Sequence, residues 1–192
     1  TVTHCVDQGE IGDPFGPIRR TLRDICGAVG TERFRASAGG PVVCRTLAAL
    51  VPDIADTVDD EPPTVPAAEA IERLLETLST RHHLVIVIED IHWADAATRT
   101  LLRSLAQSLR GQHLTIVMTV RTDDVDRTHP LKDVLLTFER NRGITVLDVP
   151  RLRRDDVDEL ATQLTGRRPS QTTLDALMRR SEGVPCFVEE LL

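Results

Sequence analysis

Lysine is nearly absent from this chain of 192 residues: Lys132 is the only one, and arginine supplies almost all of the positive charge. Acidic residues outnumber basic ones, which gives a formal net charge of −7. A nucleic-acid-binding surface needs clustered positive charge, because contacts with the phosphate backbone supply much of the affinity. The charge balance therefore argues against direct binding of nucleic acid by these residues.

Other absences exclude further classes of protein. No apolar run approaches the roughly 20 residues that cross a bilayer, and the start lacks the basic-then-apolar pattern of a secretory signal. The four cysteines stand far apart without a Cys-x-x-Cys pair. Neither a zinc site nor a disulfide framework is expected from them. These features predict a cytoplasmic protein that has reduced cysteines and no membrane contact.

A glycine-rich phosphate-binding loop is missing as well. Such a loop combines glycines, a lysine and a Ser or Thr at the start of a helix. Lys132 has no glycine near it, and the glycine pairs at 9–12 and 39–40 are followed by no lysine. The chain also starts without Met and stops within a helical pattern. We therefore expect these residues to be a piece of a longer protein.

The most informative stretch is an apolar run at residues 84–88 that two carboxylates follow. Its length and its β-branched content predict a strand buried on both faces of a parallel sheet. Glu89 and Asp90 then fall at the carboxyl end of a strand, where open α/β sheets hold their ligands. One carboxylate there can hold hydrated Mg²⁺, and its neighbour can orient or deprotonate a water. A solvated acidic turn would show the same pattern.

A second strand-like run lies at residues 114–120, and a helical pattern separates it from the first. Asp95 stands where its side chain can cap that helix. Strand, helix and strand at this spacing predict a right-handed parallel crossover, with the two strands adjacent. Arg121 directly follows the second run, so it should emerge at the same edge of the sheet as the two carboxylates.

The character of the chain changes near Pro150. Residues 144–149 form a third apolar, strand-like run, which predicts the last strand of the sheet. Beyond Pro150 the apolar residues recur only at helical spacing. We therefore predict an α/β core over residues 1–149 and a helical domain over residues 150–192.

Residues 89–95 read Glu-Asp-Ile-His-Trp-Ala-Asp, which closely resembles the extended Walker B motif of the STAND signalling ATPases, relatives of the AAA+ proteins. This bacterial branch is best known from large LuxR-type transcriptional regulators, and it also accompanies cyclase and kinase signalling domains. The usual motif begins with two Asp residues, and Glu89 replaces the first of them here. The resemblance implies a parallel-sheet P-loop NTPase core whose first strand and P-loop precede residue 1.

This resemblance implies roles for the residues at the sheet edge. Asp90 and Glu89 would be catalytic, and Glu89 would also serve Mg²⁺ through water. Arg121 would end the sensor-1 strand and respond to the γ-phosphate of ATP. Structural roles in the motif would fall to His92, Trp93 and Asp95.

A second motif closes the chain. Gly183-Val184-Pro185 resembles the Gly-x-Pro segment of STAND proteins, whose proline packs against the adenine and opens the next helix. Gly183 and Pro185 would therefore bind nucleotide, and the helical domain would act as a lid. A Gly-x-Pro sequence by itself indicates only the start of a helix. It supports the family resemblance because of its position after the Walker B segment.

The implied function is a nucleotide-dependent switch that binds ATP and Mg²⁺ and hydrolyses ATP slowly, while the lid moves with the nucleotide state. DNA would be bound only by output domains outside this segment. An effector or a second copy of the protein would also bind through domains outside it. Without a Walker A motif, these residues alone should be inactive.

Two alternatives to this function remain. The first is a protein-interaction scaffold that keeps the ATPase fold without catalysis. The second is a metal-dependent hydrolase that uses His92 and the carboxylates of residues 89–95. The second lacks helical ligand spacing such as His-Glu-x-x-His, and no third-ligand cluster follows downstream.

Overall fold

The structure is a computed structural model that describes residues 1–6, 14–55, 62–108 and 113–192. The chain divides into two compact units, Thr1–Thr145 and Val146–Leu192. The first unit contains a sheet and helices, and the second contains helices. No helix in the described ranges has both the length and the hydropathy of a membrane span.

Three parallel strands form the sheet of the first unit in the spatial order β1–β2–β3: Val2–His4, Leu84–Glu89 and Leu114–Met118. The central strand, β2, pairs Val87 with Val2 on one side and with Val117 on the other. The prediction of adjacent, parallel strands near residues 84 and 114 is therefore confirmed, and so is the α/β fold class.

Helices make the connections between these strands. Between β1 and β2 lie α1 (Gly16–Val29), α2 (Thr31–Ser37), α3 (Pro41–Ala48) and α4 (Ala67–Ser79). Between β2 and β3 lies α5 (Ala96–Ser108), and α6 (Lys132–Glu139) follows β3. Their apolar stripes form one core with the sheet, because residues three or four apart share a helix face. Its fully buried members include Leu22, Phe34, Leu47, Ile71, Leu74 and Leu101.

Helices cover one face of this three-stranded sheet. Two right-handed crossovers that advance in the same direction place their helices on the same face. On that face Ile86 and Ile88 are buried, whereas Val2, Val85 and Val117 on the other face are 52%, 51% and 45% exposed. The prediction that β2 is buried on both faces is thus wrong, because Val85 on the second face is half exposed.

The second unit consists of α7 (Arg154–Thr165), α8 (Gln171–Ser181) and α9 (Pro185–Glu190). These helices enclose a small core formed by Val157, Ala161, Leu174, Leu177 and Val188. Ser170 caps α8, since its hydroxyl accepts a hydrogen bond from the Thr173 N–H at 3.2 Å. The helical pattern beyond Pro150 thus corresponds to three packed helices.

The predicted strand at residues 144–149 is wrong. This segment has no regular secondary structure, and Val146, Leu147 and Val149 are 66%, 81% and 88% exposed. A β-branched sequence forms a strand only where a neighbour satisfies its backbone and covers its side chains. None of the three described strands pairs with it.

The one-sided burial of the sheet leads to a test of stability. We expect Ile86→Ala to lower the free energy of unfolding by about 2–4 kcal/mol, because it leaves a cavity in the core. Val85→Ala, at the next position on the exposed face, should cost no more than about 1 kcal/mol. Urea unfolding of both variants measures the difference. Equal losses would show that both faces of β2 are covered.

Candidate functional site

The carboxyl ends of the three strands meet at one edge of the sheet, as they do in any parallel sheet. His4 ends β1 and pairs in register with Glu89, which ends β2. Thr119 and Arg121 follow the end of β3. Polar side chains that are far apart in the sequence are thereby brought together at this edge.

The chain turns sharply at Asp90 on leaving β2. Asp90 has a left-handed backbone (φ 56°, ψ 46°), and a single 3-10 turn, Ile91–Trp93, follows it. Asp is among the few residues that accept this conformation readily, because its short polar side chain can bond locally. The turn leaves the Asp90 side chain 27% exposed at the sheet edge.

Arg121 lies beside Asp90 in a loose ion pair. Arg121 Nε is 3.5 Å from Asp90 Oδ1, and the guanidinium carbon is 5.9 Å from the centre of the Trp93 ring. The Arg121 side chain is 65% exposed, and exposed ion pairs of this kind contribute little to stability. The guanidinium can therefore leave Asp90 for a stronger anion, such as a phosphate group, at small cost.

His92 is buried beneath this pair and connects its own 3-10 turn with a second one, Thr122–Asp124, that follows β3. Its ring packs against Trp93 with a centroid separation of 4.7 Å, and Nδ1 accepts a long hydrogen bond from the Arg121 N–H at 3.5 Å. Nε2 lies 3.4 Å from Asp124 Oδ2 without hydrogen-bond geometry. These contacts support a structural role for His92 and Trp93.

Asp95 is fully engaged in holding helices. Its Oδ1 accepts hydrogen bonds from the Thr98 N–H at 2.9 Å and from the Phe15 N–H at 3.2 Å. Its Oδ2 accepts from the Thr98 hydroxyl at 2.5 Å. Asp95 thus caps the start of α5 and fixes the residue before α1, which supports a structural role for its carboxylate.

Glu89 contacts His4, a residue that sequence reasoning missed. Glu89 Oε2 lies 2.5 Å from His4 Nδ1, and the two side chains are 36% and 56% exposed. Nothing in the sequence around His4 indicates a site. Only the pairing of β1 with β2 brings His4 to Glu89. A correct prediction of the register between these two strands would have identified it.

Cys5, next to His4, shows the electrostatic character of the edge. The thiol is buried, and burial first, then the negative charges of Asp95 and Asp90, raise its pKa from 9.0 to about 12. The thiol therefore stays protonated at neutral pH and is no nucleophile. Asp95 and Asp90 thus place negative charge close to the end of β1.

The carboxylates at the edge suit a magnesium ion, which shares its ligands with water and phosphate, better than a metal ion whose ligands all come from the protein. Mg²⁺ keeps several waters and takes one or two carboxylates together with phosphate oxygens. Glu89 and Asp90 offer such oxygens and are partly exposed. In the described ranges, no three His, Cys, Asp or Glu side chains are grouped to hold a metal.

The predicted nucleotide-binding residues of the second motif lie in the second unit. Gly183 has φ 78°, and a Cβ added there would come within 2.4 Å of the Leu152 carbonyl oxygen. The Gly183 carbonyl oxygen accepts a hydrogen bond from the Leu152 N–H at 2.8 Å. Pro185 is the first residue of α9, where its missing N–H costs nothing. The glycine is therefore required by the local backbone.

Comparison with known proteins adds three findings. The family model of the AAA ATPase domain matches residues 1–117, which include Glu89, Asp90 and most of β3 but not Arg121 or the second unit. An uncharacterized protein of Rhizobium meliloti (strain 1021) is 27% identical over 135 residues. That alignment covers 65% of this chain and 12% of the relative, so the chain spans only a small part of its length. No solved structure matches the chain significantly.

Two glycines with left-handed backbones allow a matched test in the second unit. We expect Gly183→Ala to lower the free energy of unfolding of this unit by about 2–4 kcal/mol, because strain and a backbone clash add. Gly166→Ala, at φ 71° with open space around it, should cost only about 1 kcal/mol. Thermal unfolding followed by circular dichroism measures both. Equal costs would mean that Gly183 has room for a side chain.

Proposed function

The chain belongs to the AAA ATPase domain family, and from this premise we propose that it is the switch module of a STAND-type signalling ATPase. The observation that carries the proposal is the meeting of Glu89, Asp90 and Arg121 at the carboxyl edge of a parallel sheet. Two carboxylates for hydrated Mg²⁺ and water, with an exposed guanidinium beside them, suit the hydrolysis of a nucleoside triphosphate.

We assign separate tasks to the three side chains. Glu89 would hold Mg²⁺ through water, and bound Mg²⁺ would neutralise charge on the phosphates. Asp90 would orient or deprotonate the attacking water, as a general base within hydrogen-bond reach does. Arg121 would exchange its loose contact with Asp90 for the γ-phosphate of ATP. The position of this guanidinium would then differ between the ATP-bound and ATP-free states.

The phosphate-binding half of the site is proposed to come from a strand–loop–helix unit that adds to β3. Among the described strands β3 is an edge strand, and the uncovered sheet face displays Val2, Val85 and Val117. A strand beyond β3 whose crossover runs in the opposite direction would cover that face. It would also create the reversal of strand order at which α/β sheets bind ligands, next to Arg121.

The second unit is proposed to act as the lid, with Pro185 packing on the adenine. The tight turn at Gly183, which fixes where α9 begins, supports this role. A cytoplasmic LuxR-type regulator is the proposed parent, and its output domain rather than this module would contact DNA. The competing function is a scaffold with the same fold and no turnover.

The first test of this proposal concerns the two carboxylates in a protein that includes the P-loop. Asp90→Asn should lower ATP turnover by about 10²–10⁴-fold and leave ATP affinity near wild type, because it removes the base and Asn also accepts the left-handed backbone. Glu89→Gln should weaken Mg²⁺-dependent binding. Steady-state ATPase assays and magnesium titrations measure both effects.

Asp133→Asn, which changes an exposed carboxylate in the first turn of α6, is the control and should behave as wild type. Wild-type turnover in both site variants would show that the carboxylates have been assigned wrongly. Absence of turnover in the wild-type protein, together with a normal fold, would favour the scaffold.

The second test concerns the 192 residues alone. They offer two negative carboxylates and one arginine to a triphosphate, without the lysine and backbone N–H groups that hold it in P-loop proteins. We expect no binding of Mg²⁺-ATP at micromolar concentration, and binding once about 30 upstream residues, one strand–loop–helix unit, are included. Titration calorimetry decides between these outcomes. Tight binding by the short chain would mean that the nucleotide site lies elsewhere.

A further inference from the structure

Thr119, the residue directly after β3, makes three hydrogen bonds with the end of β2 and the turn that follows it. Its N–H donates to the Ile88 carbonyl oxygen at 3.1 Å, and its carbonyl oxygen accepts from the Ile91 N–H at 3.0 Å. Its hydroxyl oxygen accepts from the Asp90 N–H at 3.0 Å. Any residue could make the first two bonds, since they use the main chain. The third requires a side-chain acceptor of this length.

The third bond satisfies a donor that the backbone of the turn leaves over. Asp90 interrupts the β2–β3 ladder with its left-handed conformation. Ile88 and Ile91, on either side of it, make the main-chain bonds to Thr119, so the Asp90 N–H has no partner within the ladder. In the described part of the chain the Thr119 hydroxyl is its hydrogen-bond partner. Asp accepts this conformation more readily than most residues, and the bond to Thr119 stabilises it further.

We propose that Thr119 is a positioning residue for Asp90. By holding the Asp90 N–H, it fixes the left-handed turn and hence the direction of the carboxylate, whose Oδ1 lies 3.5 Å from Arg121 Nε. Thr119 and Arg121 are two residues apart on one chain segment, so the same segment sets both the carboxylate and the guanidinium. This role rests on the proposed function, in which Asp90 handles the water, and small misplacements of such a group lower rates strongly.

The alternative is an ordinary strand threonine chosen for its β-propensity. Thr115 supplies the comparison: it lies on β3 four residues earlier, on the same face, and it is exposed as Thr119 is. Within the described ranges the Thr115 hydroxyl makes no hydrogen bond. Thr→Val at either position keeps the shape and the β-branch and removes only the hydroxyl. Ser at position 119 restores the acceptor.

The first experiment measures amide hydrogen exchange of Asp90 by NMR in the 192-residue chain, which needs no nucleotide. We expect roughly tenfold faster exchange in Thr119→Val, the usual effect of losing one hydrogen bond. Thr119→Ser and Thr115→Val should exchange as wild type does. Wild-type exchange in Thr119→Val, or equal acceleration in Thr115→Val, would overturn the proposal.

The second experiment measures ATP turnover by the same variants in a protein that includes the P-loop. Thr119→Val should lower kcat about tenfold with KM nearly unchanged, because Asp90 is misaimed while ATP is still bound. Thr119→Ser should restore kcat. Faster amide exchange with an unchanged kcat would limit Thr119 to a structural role and overturn the positioning role. A wild-type protein without turnover would instead contradict the proposed function, and the exchange data would still decide whether Thr119 holds Asp90.

Discussion

The parallel pairing of β2 with strands on both sides is the constraint on which the rest of the first unit depends. Parallel strands align their carboxyl ends, so the residues after β1, β2 and β3 converge at one edge. Each parallel pair also requires a crossover, and two right-handed crossovers in one direction place the helices on one face. The polar edge, the core beneath it and the exposed valines on the opposite face, Val2, Val85 and Val117, are consequences of the same pairing.

The charged side chains at the edge are of two kinds. Some are fixed by hydrogen bonds to buried groups, and others form exposed ion pairs that can be exchanged. Asp95 is held by three hydrogen bonds to buried or half-buried groups, and His92 is buried between Trp93 and the backbone of Arg121. The Asp90–Arg121 and Glu89–His4 pairs, by contrast, are partly exposed to water. Exposed pairs of charges are easily exchanged for other partners. Under the proposed function, Mg²⁺ and phosphate would replace these exposed contacts and leave the core beneath them unchanged.

Local sequence patterns by themselves determined much of this protein. The apolar runs at 84–88 and 114–120 contain strands, the second of which ends at Met118, because their β-branched residues suit a pleated, half-buried surface. The carboxylates after β2 can be located from sequence because they follow that run directly, and Asp95 because an acidic residue before a helix caps it. The helices beyond Pro150 are predictable because a period near 3.6 is visible within a single segment.

Tertiary structure decided what depends on distant partners. The strand-like residues 144–149 form no strand, since a strand requires a neighbour that no local pattern specifies. The exposure of Val85 depends on the direction of both crossovers, which the run itself does not encode. Thr119 reaches Asp90 across 29 residues, and His4 reaches Glu89 only through the register of β1. The sequence therefore determined which groups could do chemistry, and only strand pairing decided which of them meet, because hydrogen-bonded register joins residues that are remote along the chain.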